Sequence, residues 1–216
     1  MSSTNTDTRA EPISPPSSAF SGFLLPAFLW LVLLLAVLVW PFAAGLSNVG
    51  DPLIRNTIRL ALLYYAVAVN LMLRLRPGDW SPSSRTVRLA RSCWTLGWLA
   101  YLVHLAMAFH FYHHWSHADA VAHTEAVSGW GEGIYFSHLF TLAWGADVVS
   151  WWLRPRWYSA RPAWIGCVLH GYLAFIIFNG TVVYETGLIR WAGAVLFAEL
   201  AAAWWWRQSS GRITSA

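Results

Sequence analysis

FSGFLLPAFLWLVLLLAVLVWPFAAG, residues 20–45, decides the fold, because it holds no Asp, Glu, Lys or Arg. At about 1.5 Å rise per residue it is long enough to cross a hydrocarbon core of about 30 Å. The run is too long for the apolar region of a signal peptide and has no basic segment before it, so it reads as an uncleaved first span. Pro26 and Pro41 stand near its two ends, where neighbouring helices can satisfy a kinked backbone. Residues 1–19, MSSTNTDTRAEPISPPSSA, are rich in Ser, Thr and Pro without apolar periodicity and read as a disordered cytoplasmic tail.

Five further apolar stretches follow, near 53–73, 92–115, 134–153, 162–184 and 188–206. The expectation is an all-α integral membrane protein, a bundle of about six transmembrane helices over 20–207, with a short cytoplasmic tail at 208–216. Composition agrees: 57% of the residues are hydrophobic and 11% charged, where soluble domains carry about a quarter. The net charge of +4 does not point to nucleic acid, because the arginines gather in short loops on one side of the spans. Every basic residue other than histidine is arginine, which excludes a Schiff-base or P-loop lysine mechanism. Cys93 and Cys167 form no CxxC or zinc pattern and read as buried thiols.

Arg74, Arg76, Arg85, Arg88 and Arg91 mark one basic loop, and Arg154, Arg156 and Arg161 another. Assigning both to the cytoplasm puts 46–52, 116–133 and 185–187 outside and both termini inside, as in a bacterial inner membrane. Arg55, Arg59 and Arg190 are exceptions near outer helix ends. Trp151, Trp152, Trp157, Trp164 and Trp204–Trp206 make an inner interfacial belt; Trp40, Trp115, Trp130 and Trp191 make an outer one. Lipid is the expected surrounding, with a membrane-protein partner or a second copy as the open alternatives.

All eight histidines lie between positions 104 and 170, six of them within HLAMAFHFYHHWSHADAVAH. If the third helix continues outward, His110, His113, His114 and His117 share an arc of about 100°. The i, i+4 pairs His110/His114 and His113/His117 then have the spacing by which one helix offers two imidazoles to a metal. His138 enters at a comparable depth, with His104, His123, Glu132 and Glu185 near enough to be further ligands or supporting bases. Such a site suits Fe, Cu, Zn or Mn, or haem b; the competing reading is interfacial histidines that are simply solvated. Asp147, His170 and Glu199 each stand about 10 Å from the inner surface on three spans, and so should face one another as a proton relay or as a pin between helices. In FNGTVVYETG, Asn179 and Thr181 are placed to cap a helix break, with Gly180 as the simpler packing contact.

HFYHH at 110–114 resembles one HxxHH box of the membrane fatty-acid hydroxylase and desaturase superfamily, whose several boxes bind two irons for oxygen-dependent hydroxylation or desaturation. The likeness covers one box and five residues. His104 and His117, thirteen apart, resemble the paired haem ligands of b-type cytochrome and ferric-reductase membrane domains. That resemblance implies one haem held by His104 with His138 or His170. The resulting expectation is a histidine-rich metal or haem site near the outer face, redox-active on a lipid or quinone. A non-catalytic subunit or assembly factor, or a small proton-coupled transporter, is the alternative.

Overall fold

The computed structural model describes residues 18–213, so the proposed N-terminal tail up to residue 17 lies outside the described residues, as do 214–216. Eight helices follow in order: α1 (Ser18–Ala43), α2 (Gly50–Arg74), α3 (Arg85–Phe111), α4 (His117–Ser128), α5 (Ile134–Leu153), α6 (Pro155–Ala160), α7 (Ala163–Phe178) and α8 (Gly187–Ile213). No strand occurs among the described residues. Five helical stretches are long and apolar enough to cross a membrane: Phe23–Ala43, Gly50–Arg74, Arg85–Phe111, Ala163–Val183 and Gly187–Arg207. The fold is therefore an all-α membrane bundle. At 20 residues, α5 runs about 30 Å alongside α3, its apolar character diluted by His138 and Asp147. α8 continues to Ile213, so most of the expected C-terminal tail is helix.

α2 and α3 form the centre. Small residues let their backbones approach: a Cβ on Gly97 would lie 3.3 Å from the Tyr65 nitrogen and 3.4 Å from the Ala61 carbonyl oxygen. An aromatic column fills the space between α2, α3 and α5, with ring centroids 5.0 Å apart for Trp94 and Trp144 and 4.9 Å for Tyr101 and Phe140. These tilted and edge-on contacts are those that ring quadrupoles favour. Around this core, α1, α7 and α8 leave large apolar side chains exposed, among them Phe28, Leu35, Val168, Phe175, Leu188 and Val195. In water such a perimeter would aggregate; in a bilayer it is the lipid-facing surface.

The connections sort to two ends. At one, the Tyr112 hydroxyl donates to Asp51, joining the first turn of α2 to the end of α3. At the other, Trp80 packs against Trp151 and Tyr158, joining the loop after α2 to the α5–α6 junction. The first end carries the histidines and the second most of the arginines.

α3 does not continue outward. It ends at Phe111, and the chain turns through left-handed conformations at His114 (φ 47°) and Trp115 (φ 61°). Ser116 then accepts a hydrogen bond from the Asp119 N–H at 3.2 Å and starts α4 as a new helix. The sequence HFYHHWS carries no glycine to signal this break. The common arc expected for His110, His113, His114 and His117 therefore does not form.

α7 ends in a π-helical turn, Asn179–Val183, where the Tyr184 N–H reaches back to the Asn179 carbonyl. Asn179 and Thr181 donate their side-chain N–H and O–H to the Phe175 and Ile177 carbonyls, competing with the normal ladder. Gly180 is not the packing contact here. A Cβ there would meet nothing within 4 Å, whereas one on Gly193 would lie 2.9 Å from the Thr181 hydroxyl, so α8 crosses the turn at Gly193.

Candidate functional site

Broken from α3, the histidines separate into pairs. His117, at the start of α4, stacks on His138 of α5 with centroids 5.6 Å apart, and Tyr135 stands 5.7 Å from His117. His113 meets His123 edge to face at 5.3 Å, and His123 stacks on Tyr112 at 5.5 Å. Burial is the main cause that lowers the His113 pKa from its ordinary 6.5; His123 and His114 lower it further, and Asp119 opposes them. His114 is exposed, 3.7 Å from the Asp119 carboxylate. His110 lies exposed with its ring against Phe111 and Trp115. Glu132 accepts from the Trp130 indole at 2.8 Å. Among the described residues no group of three or more His, Cys, Asp or Glu side chains comes together in a way that could hold a metal ion. His110, His113, His114, His117 and His138 thus do not converge on one centre.

What does converge is a cavity. It has a volume of about 610 Å³ and lies between α2, α3, α4, α5, the end of α7 with its π turn, and the start of α8. Ile58, Phe140, Trp144, Ile176 and Ile177 give it an apolar floor. Its mouth is polar: Arg55, Arg59, His104, Tyr112, His123 and Glu185 line it. His104 is oriented by the Ile54 carbonyl, 3.0 Å from its Nδ1. Burial raises the Tyr112 pKa above its ordinary 10.0, and the accepted hydrogen bond and charge of Asp51 raise it further. The π turn shapes the wall, because its extra residue displaces Gly180 and Thr181 from the regular α7 face.

His104, His123 and Glu185, none of them among the five metal ligands expected first, are thus the three histidine-site candidates that share this space. Arg55, Arg59 and Tyr112 were not among the candidates. The arginines did leave a signal in the sequence, standing at the end of the bundle that the charge rule leaves poor in arginine.

The deep trio also divides. Asp147 accepts from the Trp94 indole and the Tyr158 hydroxyl, each at 2.9 Å, and from the Arg161 guanidinium. Arg161 lies over the Tyr158 ring, 3.9 Å from its centroid, and Tyr158 stacks on Trp151 at 4.4 Å. Burial, followed by the Asp147 charge, holds the Tyr158 pKa well above its ordinary 10.0. His170 packs on Trp94 with centroids 5.1 Å apart, and its buried Nδ1 has no hydrogen-bond partner among the described residues. Glu199 is elsewhere, accepting from the Asn70 amide at 2.8 Å. So Asp147 is satisfied as a pin that fastens the α6 segment to the bundle, and Glu199 belongs to a separate α2–α8 contact. Arg161 and Tyr158, the pin's partners, gave no sequence signal beyond their place in a basic loop.

No family model, no curated protein and no solved structure matches this chain.

Proposed function

We propose that this chain binds a lipid or quinone in the cavity beneath α4, with the ligand's tail on the isoleucine and aromatic floor and its head at the polar mouth. The reading includes six crossings of a bacterial inner membrane, α5 being the additional one, with both termini cytoplasmic and the mouth at the opposite face. One observation carries it: an apolar floor and a ring of charged and proton-exchanging side chains belong to the same cavity. His104, His123, Tyr112 and Glu185 offer hydrogen-bond donors and acceptors to a quinone or ester oxygen. Redox turnover also needs an electron carrier. The stacked His117–His138 pair favours a second reading in which a transition metal binds with these two imidazoles as its protein ligands. A non-catalytic subunit would use the same cavity to hold a structural lipid.

The test uses Gly180→Phe, since a side chain at that position enters open space. Native mass spectrometry of detergent-purified protein should find a lipid or quinone bound one to one in the wild type and lost in the variant. Thermal unfolding of both proteins checks that the fold is kept. Equal occupancy in wild type and variant would remove the cavity reading.

A further inference from the structure

Arg55 and Arg59 are the least expected charges in the molecule. They are four residues apart on one face of α2, and Arg59 stands nine residues beyond Gly50, about 13 Å along the helix. Both are exposed, and both line the cavity. Arginines near a helix end can reach bulk headgroups along the outer surface. Here both also line the cavity and so can reach a headgroup held in it, while the exposed row of α2 runs on past the cavity through Leu63 and Val67. Neither guanidinium forms an ion pair among the described residues, where the two ion pairs are His114–Asp119 and Arg161–Asp147. Arg59 donates only to the Asn56 amide oxygen at 2.9 Å. Of the two nearby carboxylates, Asp51 accepts from the Tyr112 hydroxyl and Glu185 lines the mouth without pairing to either arginine.

Two forked cations, one turn apart, above an apolar slot match one ligand chemistry: a phosphodiester carried on acyl chains. Guanidinium forms paired, charge-assisted hydrogen bonds to phosphate oxygens, and an isoleucine-lined floor accepts hydrocarbon. We infer that the cavity takes a glycerophospholipid, with its phosphate between Arg55 and Arg59 and its chains on the floor formed by Ile58, Ile176 and Ile177. This rests on the cavity reading above and narrows it to a phosphate-headed ligand.

The probes are phosphatidylglycerol, diacylglycerol with the same chains, and inorganic phosphate, each titrated into delipidated protein in detergent and read by native mass spectrometry. Phosphatidylglycerol should bind at least about tenfold more tightly than diacylglycerol, the loss expected when a charge-assisted contact is removed. Arg55→Gln with Arg59→Gln should abolish that preference. Inorganic phosphate at millimolar concentration should not displace the lipid. Equal affinity for the two lipids, or a preference that survives in the double variant, would overturn the phosphate assignment while leaving the cavity reading standing. Displacement by inorganic phosphate would make this a free-anion site and overturn the lipid assignment. Phosphatidylglycerol binding that persists undiminished in Gly180→Phe would instead overturn the cavity reading itself.

Discussion

Replacing Asp147 with Ala should be among the most damaging single changes in the bundle. The carboxylate is 3% exposed and its Arg161 partner 10%, and it accepts from three donors on two segments, α3 and the α6 segment. Its loss leaves a buried guanidinium, a buried hydroxyl and an indole N–H with nothing to bond. Breaking one side of a buried ion pair costs about 3–5 kcal/mol, because an uncompensated charge remains. The two neutral bonds, each worth about 1 kcal/mol net, belong to the same network and do not add in full. The expected loss is therefore about 3–5 kcal/mol, measurable by reversible unfolding in mixed detergent and SDS with tryptophan fluorescence as the probe. Asp147→Leu combined with Arg161→Met removes both charges together and should recover stability to within about 2 kcal/mol of wild type. A loss below about 1 kcal/mol for Asp147→Ala would refute the pin. So would a double variant no more stable than the single one.

Gly97→Val should destabilise by about 1–3 kcal/mol, because the new side chain meets the buried Trp144 ring and the α2 backbone, neither free to move aside; unfolding midpoints of the two proteins check this. The segment from His113 to His123 should loosen in acid. The His113 pKa is lowered in the folded state, so above 6.5 neither state is charged and nothing is lost. As pH falls through 6.5 the unfolded imidazole takes up protons that the folded one refuses, and stability drops until the folded pKa is passed. Hydrogen exchange of residues 112–123, corrected for intrinsic rates, should rise between pH 7.5 and pH 5.5, and His113→Phe should remove that rise. For the metal reading, elemental mass spectrometry should find near-stoichiometric Fe, Cu, Zn or Mn that is lost in His117→Ala, His138→Ala; equal sub-stoichiometric metal in both proteins would discard it.

Periodic and compositional features were legible without coordinates. The charge-free run at 20–45 and the stretches after it require helices, because an unpaired backbone in hydrocarbon costs several kcal/mol per group. That argument needs only the local sequence, and it reaches as far as the bundle and the sorting of its arginines. The site was less legible. Reading His110 to His117 on one arc assumed an unbroken helix, yet the break at His114 and Trp115 occurs without glycine or proline. It goes with a contact distant in sequence, Tyr112 on Asp51, and with Ser116 capping a new helix. Asp147 could be recognised as a residue in need of a partner, since burying it alone is too costly. Depth along a helix does not specify azimuth, however, so the choice of Arg161 and Tyr158 over Glu199 was decided by how the helices rotate against one another. The cavity follows the same rule. Its lining comes from six helices and the π turn, and only their packing, with the π turn displacing Gly180 and Gly193 drawing α8 close, brings them to one space.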